Sequence, residues 1–180
     1  MKKLILLSAL VVISLTQLSA QKSTFEKGDR VLNLGIGLGS GYYSSYYSSH
    51  MPAISASFEV GVKDGVIEKG SIGVGGYLGF SSAKFENYWR TSNLVIGGRG
   101  SLHYPLVDKL DTYTGLILGY VLSNTTRYSN YSGIPHDYRG SGIAFAWYAG
   151  ARYYFSEKFA GMAELGVGVA YLNLGIALKL

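Results

Sequence analysis

The final stretch of the chain, YLNLGIALKL at residues 171–180, decides the fold class. Leucine or isoleucine occupies every second position from Leu172 to Leu180, and Asn, Gly, Ala and Lys lie between them. This period of two is typical of a β-strand with two unlike faces. A strand at the end of a chain leaves an unpaired edge, and the stretch VLNLGIGLG at residues 31–39 shows the same alternation. We therefore expect the last strand to pair with the first and close a barrel.

Six further stretches between these two alternate in a similar way, although Ile117 and Val121 blur the pattern in one of them. The sequence thus predicts eight antiparallel strands at 31–40, 53–63, 71–81, 93–104, 112–122, 142–155, 159–168 and 171–180, with Pro105 ending the fourth. Lengths near ten residues suit tilted strands that cross a bilayer, which need about 9 to 11 residues. Long connections rich in Tyr, Ser and Asn alternate with shorter, charged turns, as in an up-and-down barrel.

The distribution of charge distinguishes a membrane barrel from a soluble one. All the charged side chains within the predicted strands share the glycine-bearing face: Glu59, Lys63, Arg99, Arg152, Glu164 and Lys179. On a lipid-facing surface an Arg or Lys at the midplane costs about 2 to 4 kcal/mol, so a membrane barrel must sort its charges in this way. A soluble barrel would also sort them, but its polar outer face would carry about 25 to 35% charged residues. The glycine-bearing face is poorer in charge, and we predict an all-β, eight-stranded antiparallel up-and-down transmembrane β-barrel.

The charges on the glycine-bearing face then lie in the lumen and need partners. Glu59 and Glu164 are the candidate acceptors for Arg99 and Arg152, and we predict that the four form a lumen charge cluster. Eight strands enclose only enough space for side chains to fill. The sequence therefore predicts a filled lumen and excludes a general pore.

Residues 1–20 have the composition of a secretory signal peptide, since Lys2 and Lys3 precede an apolar run that ends at small residues. We assign residues 21–30 to a flexible N-terminal lead and residues 31–180 to the barrel domain. Without Lys2 and Lys3 the chain has 14 basic and 11 acidic residues, and a formal charge of +3 is too mild to indicate nucleic acid. The chain has no cysteine, which excludes disulfides and thiolate metal sites. No cofactor motif is present, because the glycine run after Leu34 is followed by no βαβ unit.

Aromatic residues are frequent in the predicted connections and near the strand ends. We predict an aromatic belt at the membrane interface. The alternative is that these side chains contact a surface partner or a glycan. The candidate interfacial and loop aromatics are Tyr42, Tyr43, Tyr46, Tyr47, Trp89, Tyr128, Tyr131, Tyr138 and Trp147.

The strings IGGRGSLHYPL, GARYYFSEKF, AELGVG and YLNLGIALKL together resemble the small outer-membrane β-barrel family of Gram-negative bacteria, which includes the OmpA transmembrane domain and OmpX. The resemblance covers essentially the whole chain after residue 20. It implies an outer-membrane location, periplasmic termini, surface loops, contact with outer-membrane lipid and insertion by the outer-membrane assembly machinery. The function it implies is structural, with display of surface loops and no enzymatic activity.

Two other functions stay open at this point. A secreted, soluble, lipocalin-like binder of small ligands also alternates polar and apolar residues. An outer-membrane lipid-modifying hydrolase could use Ser101 and His103, which share a strand face, with Glu59 as the acid. Ser101 and His103 point inward by parity, which favours a role in filling the lumen over catalysis. His50 and His136 lie in predicted loops without a second ligand at metal spacing, so we predict no metal site.

Overall fold

A computed structural model describes residues 24–39, 49–85, 88–127, 138–167 and 169–180, with only the backbone of residues 49, 50, 138 and 139. Tyr42, Tyr43, Tyr46, Tyr47, Tyr128, Tyr131 and His136 lie outside the described residues, as does the predicted signal peptide. The described residues form eight strands. In chain order they are β1 (Arg30–Leu38), β2 (Ser49–Val66), β3 (Gly70–Phe85), β4 (Trp89–Val107), β5 (Leu110–Arg127), β6 (Tyr138–Tyr154), β7 (Phe159–Val167) and β8 (Leu172–Lys179).

The strands form one closed antiparallel ring in sequence order, as the alternation predicts. The ring closes between β1 and β8, where Leu34 is opposite Ile176 and Leu38 is opposite Leu172. We call the end that carries Arg30 and Leu180 the terminal end of the barrel, and the opposite end the loop end. Every strand edge along the closing seam is therefore paired, which a bilayer requires of a β-structure.

The two faces of the wall are sorted as the alternation predicts, with one exception. Lys63 was expected on the lumen face, but a register shift after Gly61 places it opposite Ile72, and it is exposed. The leucine side points outward, with Leu34 46% and Leu174 47% exposed, and the glycine side points into the lumen, where Arg99 and Glu164 are buried. A soluble carrier would show the opposite arrangement, with these leucines in a shared core. Ile117 and Val121, which blur the alternation of β5, pack inside the lumen against other apolar side chains.

Five strands are longer than the ten or so residues expected. β2, β3, β4, β5 and β6 have 18, 16, 19, 18 and 17 residues, whereas β1, β7 and β8 have 9, 9 and 8. The extra residues at the loop end are mostly polar, although Met51, Phe85 and Trp89 are among them, so they show no alternation of apolar residues. Hydroxyl pairs join them across strands, with Ser82 and Ser92 oxygens 3.0 Å apart and Thr91 and Thr125 oxygens 3.0 Å apart. The wall therefore continues as a five-stranded sheet beyond the apolar surface.

Two further sequence expectations differ from the structure. β4 does not end at Pro105 but continues to Val107, because a register shift after Pro105 accommodates the residue that lacks an N–H at the end of the hairpin. The stretch 21–30 was expected to be a flexible lead, yet Arg30 belongs to β1 and Phe25 is buried. Sequence reasoning missed this because the stretch is mostly polar, and a single Phe shows no periodicity.

Glycines let neighbouring strands and lumen side chains approach closely. A Cβ atom added to Gly75, which points inward from β3, would overlap the carbonyl oxygen of Phe58 on β2. The next residue, Gly76, points outward and has no atom within 4 Å of an added Cβ. We expect Gly75→Ala to lower the free energy of unfolding by about 1 to 3 kcal/mol through overpacking. Gly76→Ala is the matched control and should change it by less than about 0.5 kcal/mol. Denaturant titration of the folded barrel in detergent measures both, and equal effects would contradict the assignment of the two faces.

Candidate functional site

The lumen contains a buried network of charged side chains, and Arg152 of β6 lies at its terminal end. Arg152 is 0% exposed. Its Nη2 donates to Oε2 of Glu59 at 2.5 Å, and its Nη1 donates to Oδ2 of Asp111 at 3.0 Å. One guanidinium therefore joins carboxylates from β2 and β5. Charge-assisted hydrogen bonds of this kind are about twice as strong as neutral ones, and here they are shielded from water.

Arg99 of β4 forms the second ion pair. Its Nη2 donates to Oε1 of Glu164 at 3.0 Å, its Nη1 donates to the Ser57 hydroxyl at 2.9 Å, and its Nε donates to the Tyr148 hydroxyl at 3.1 Å. The Tyr113 hydroxyl donates to the same Glu164 oxygen at 2.8 Å. Glu59, Arg99, Arg152 and Glu164 are thus all in the lumen, and each arginine pairs with a different glutamate.

His103 connects the network to a third carboxylate. Its Nδ1 lies 2.8 Å from Oδ1 of Asp111, and its Nε2 lies 3.2 Å from Oε1 of Glu59. Both ring nitrogens therefore lie within hydrogen-bond distance of a carboxylate oxygen, and a protonated ring would donate to both. With the ring protonated, three positive groups would face three carboxylates. Such a network is neutral as a whole, which reduces the cost of burying its charges.

Aromatic rings fill the space around the charges. The guanidinium carbon of Arg99 lies 4.3 Å from the ring centroid of Tyr148, and that of Arg152 lies 4.4 Å from the ring centroid of Tyr113. These are cation–π distances. The two tyrosine rings meet edge to face with centroids 6.2 Å apart. The charges, the hydroxyls and the rings together close the middle of the lumen.

Sequence reasoning missed Asp111 and the role of His103 in the network. Asp111 falls in a stretch that reads as a charged turn, and β5 begins at Leu110, one residue before it. The available signal was parity, because Asp111 is two residues before the inward-facing Tyr113. The pairing of Asp111 with Arg152 depends on the β5–β6 register, in which the two residues are directly opposite.

The arrangement of Ser101, His103 and Glu59 is not that of a hydrolytic triad. Ser101 Oγ donates directly to Glu59, and His103 Nε2 faces the same carboxylate oxygen. In a triad the histidine lies between the serine and the acid, so that it can accept the serine proton. Here the acid lies between the other two, and all three side chains are buried.

The described residues line a small cavity in the lumen. A cavity of about 40 Å³ lies towards the loop end, lined in part by Ala53, Val95, Ile117, Ala144 and Asn173. Apolar cavities that bind a molecule as small as benzene have a volume of about 150 Å³, so this cavity has room for water molecules only.

The described residues contain no group of three or more His, Asp or Glu placed to hold a metal ion. None of the described segments forms a helix of the length and apolar character that crossing a bilayer requires.

The exposed face of the wall is apolar around the ring. Aromatic side chains lie near the terminal end of this surface, where Tyr153 and Phe155 meet edge to face with centroids 5.5 Å apart. Trp147 is on the outer face of β6 and is half exposed. The outward-facing large apolar residues include Leu34, Ile36, Phe58, Leu78, Ile96, Leu116, Leu118, Phe145, Leu165, Leu174, Ile176 and Leu178.

Trp89 lies away from this surface, at the loop end of β4. It is directly opposite Phe85 in the β3–β4 register, and their rings stack with centroids 4.3 Å apart. Trp89 has the parity of the inward-facing Asn93 and Val95 and lies five residues beyond Leu94, the last outward-facing leucine of β4 in that direction. Trp89 is therefore a loop-end aromatic, whereas Trp147 belongs to the outer surface.

An apolar exterior, a closed ring of eight antiparallel strands and a lumen filled by ion pairs define the fold of a transmembrane β-barrel. Two structures of the outer-membrane protein Ail of Yersinia pestis share it. The structure in a phospholipid bilayer nanodisc is 12% identical, and the match covers 86% of this chain and 100% of that chain with a TM-score of 0.50. The structure in complex with the heparin analogue sucrose octasulfate is 9% identical, and the match covers 85% and 95% with a TM-score of 0.50.

A de novo designed transmembrane β-barrel is 15% identical, and the match covers 89% of this chain and 100% of the design with a TM-score of 0.46. No protein-family model and no curated protein sequence matches the chain. At these identities the likeness extends to the fold alone.

Proposed function

We propose that the chain is a non-enzymatic outer-membrane β-barrel that anchors a surface-exposed sheet in the envelope. The apolar outer face carries this proposal, because an exterior of half-exposed leucines, isoleucines and phenylalanines is stable only among acyl chains. The filled lumen supports a structural role over transport. Residues 1–20 would direct secretion, and the outer-membrane assembly machinery would insert the barrel.

The unequal strand lengths support a role in display. The mostly polar continuation of β2 to β6 beyond the apolar surface makes the loop end a paired five-stranded sheet instead of a set of short turns. In the proposed orientation this sheet and its connections face the outside of the cell, and the terminal end faces the periplasm. The described part of the lumen offers no open site for a substrate.

Fractionation and epitope access test the location and the orientation together. We expect the protein to stay in the membrane pellet after a carbonate wash and to migrate differently on a gel when the sample is left unheated, because a folded barrel resists detergent. A tag inserted in the β5–β6 connection after residue 132 should bind antibody on intact cells. The same tag between Glu68 and Lys69, in the β2–β3 turn of the terminal end, should bind only after permeabilisation.

A chain without residues 2–20 is the matched control, and it should remain inside the cell and show no heat-dependent mobility. Release of the full chain by carbonate would contradict a membrane location and favour the soluble binder. Antibody access to the β2–β3 tag on intact cells would contradict the orientation.

A further inference from the structure

The segment 24–29 lies inside the terminal end of the barrel, between that end and the charged network. Phe25 is 1% exposed, and its ring stacks on His103 with centroids 3.9 Å apart and an interplanar angle of 20°. The guanidinium carbon of Arg152 lies 5.8 Å from the same ring centroid. Phe25 also belongs to a buried apolar cluster with residues of β1, β6, β7 and β8, namely Val31, Tyr154, Ala160 and Ala177.

Hydrogen bonds tie the segment to β2 and β3. The Ser71 hydroxyl donates to the Phe25 carbonyl at 2.7 Å, and the Lys27 N–H donates to Oδ1 of Asp64 at 2.7 Å. The Gly28 N–H donates to the Gly61 carbonyl at 2.8 Å, and the Gly61 N–H donates to the Asp29 carbonyl at 2.9 Å. The segment is therefore held at its buried ring and along its backbone.

An ion pair ties the segment to the last strand. Lys179 Nζ of β8 lies 2.6 Å from Oδ2 of Asp29 and donates to the Thr24 carbonyl at 3.2 Å. The segment thus joins β8 to β2 and β3, on both sides of β1. It spans the seam at which the barrel closes.

Glycines in the wall and in the segment allow the two to make close contact. A Cβ atom at Gly61 would overlap the carbonyl oxygen of Glu26, so the β2 backbone can approach the segment only without a side chain there. Gly28 has φ +93°, a conformation that residues other than glycine rarely adopt. Two glycines, one in the segment and one in the wall, fit this contact.

From these contacts we infer that the segment 24–29 is a built-in stopper, which closes the terminal end of the lumen and keeps water from the network of His103, Asp111, Arg152 and Glu59. Phe25 is the group that fills the opening, and the Asp29–Lys179 pair holds it in place. This role is additional to surface display. It applies to the folded barrel whether or not the location proposed above is correct.

Cysteine access tests the stopper, because the chain has no cysteine of its own. Ala160→Cys places a thiol in the Phe25 cluster, where Ala160 is 0% exposed. In the intact chain we expect a charged, membrane-impermeant maleimide to label it very slowly. Phe25→Ala, or replacement of residues 24–28 by Gly-Ser-Gly-Ser-Gly, should raise the labelling rate about tenfold or more, because opening no longer displaces a buried ring.

Ala144→Cys is the control reporter, because Ala144 is buried towards the loop end with Ala53, Val95 and Val169. Its labelling should not respond to the changes in the segment. Heat-dependent gel mobility confirms folding for each variant. Lys179→Gln removes the ion pair with Asp29 and the ammonium donor to the Thr24 carbonyl but leaves Phe25 in place. It should raise the labelling rate of Ala160→Cys a few times and is the variant to use if the larger replacement fails to fold. Rapid labelling at position 160 in the intact chain overturns the stopper, and so does unchanged slow labelling in the folded variants.

Discussion

Replacing Arg152 by Met should lower the free energy of unfolding by about 3 to 5 kcal/mol, the cost of removing one partner from a buried ion pair. Arg152 is 0% exposed and is hydrogen-bonded to both Glu59 and Asp111. Met fills a similar volume, so the lost charge dominates the effect. The carboxylates of Glu59 and Asp111 then lose their shared guanidinium and keep their contacts with the His103 ring. Denaturant unfolding in lipid vesicles, followed by tryptophan fluorescence, measures the change.

Two comparisons isolate the charge effect. Lys158→Met removes a cation from the exposed β6–β7 turn and should change stability by less than about 0.5 kcal/mol. Adding Asp111→Asn to Arg152→Met removes the negative charge that loses its guanidinium partner and should restore part of the loss. If Arg152→Met alone were as stable as the unchanged protein, the network would contribute nothing to holding the barrel together.

Replacing Leu116 by Arg should destabilise the barrel by about 2 to 4 kcal/mol in a bilayer, the range for a cation at the midplane of a lipid-facing surface. Leu116 is 49% exposed on the outer face of β5, and its neighbours across the sheet are Gly100 and Trp147. No lumen side chain changes, so the effect reports the medium around the barrel. Unfolding in vesicles of saturated and unsaturated phosphatidylcholine measures it.

Leu106→Arg is the matched control, because Leu106 is 47% exposed but lies next to the β4–β5 turn at the terminal end. Near the interface the cost falls to about 0 to 1 kcal/mol. A soluble barrel would tolerate both substitutions equally, since each replaces an exposed leucine by a charged residue in water. Equal stability of the two variants would therefore contradict a transmembrane barrel.

The order of the strands in the barrel wall could be predicted from the sequence. The side-chain contacts inside the lumen could be predicted only in part. Alternation at Leu172 to Leu180 indicated the closing strand, and the shared parity of Arg99 and Glu164 placed both inside. The partners of each charge required the register, since Glu59 and Arg152 are 93 residues apart in the chain. Asp111 was hidden by its position at a strand start, and Phe25 by its polar surroundings. The loop-end extensions were hidden because polar residues on both faces show no period.

The alternation of residues along the sequence was enough to predict eight strands, their antiparallel order and the face that most strand side chains take, because a period of two depends only on neighbouring residues. It failed at Lys63, where a register shift changes the face. The tertiary structure alone decided which carboxylate meets which cation, how far the sheet extends beyond the apolar surface, and that the segment 24–29 fills the terminal end. Those features arise from contacts between distant parts of the chain, and such contacts depend on register and closure, which alternation leaves open.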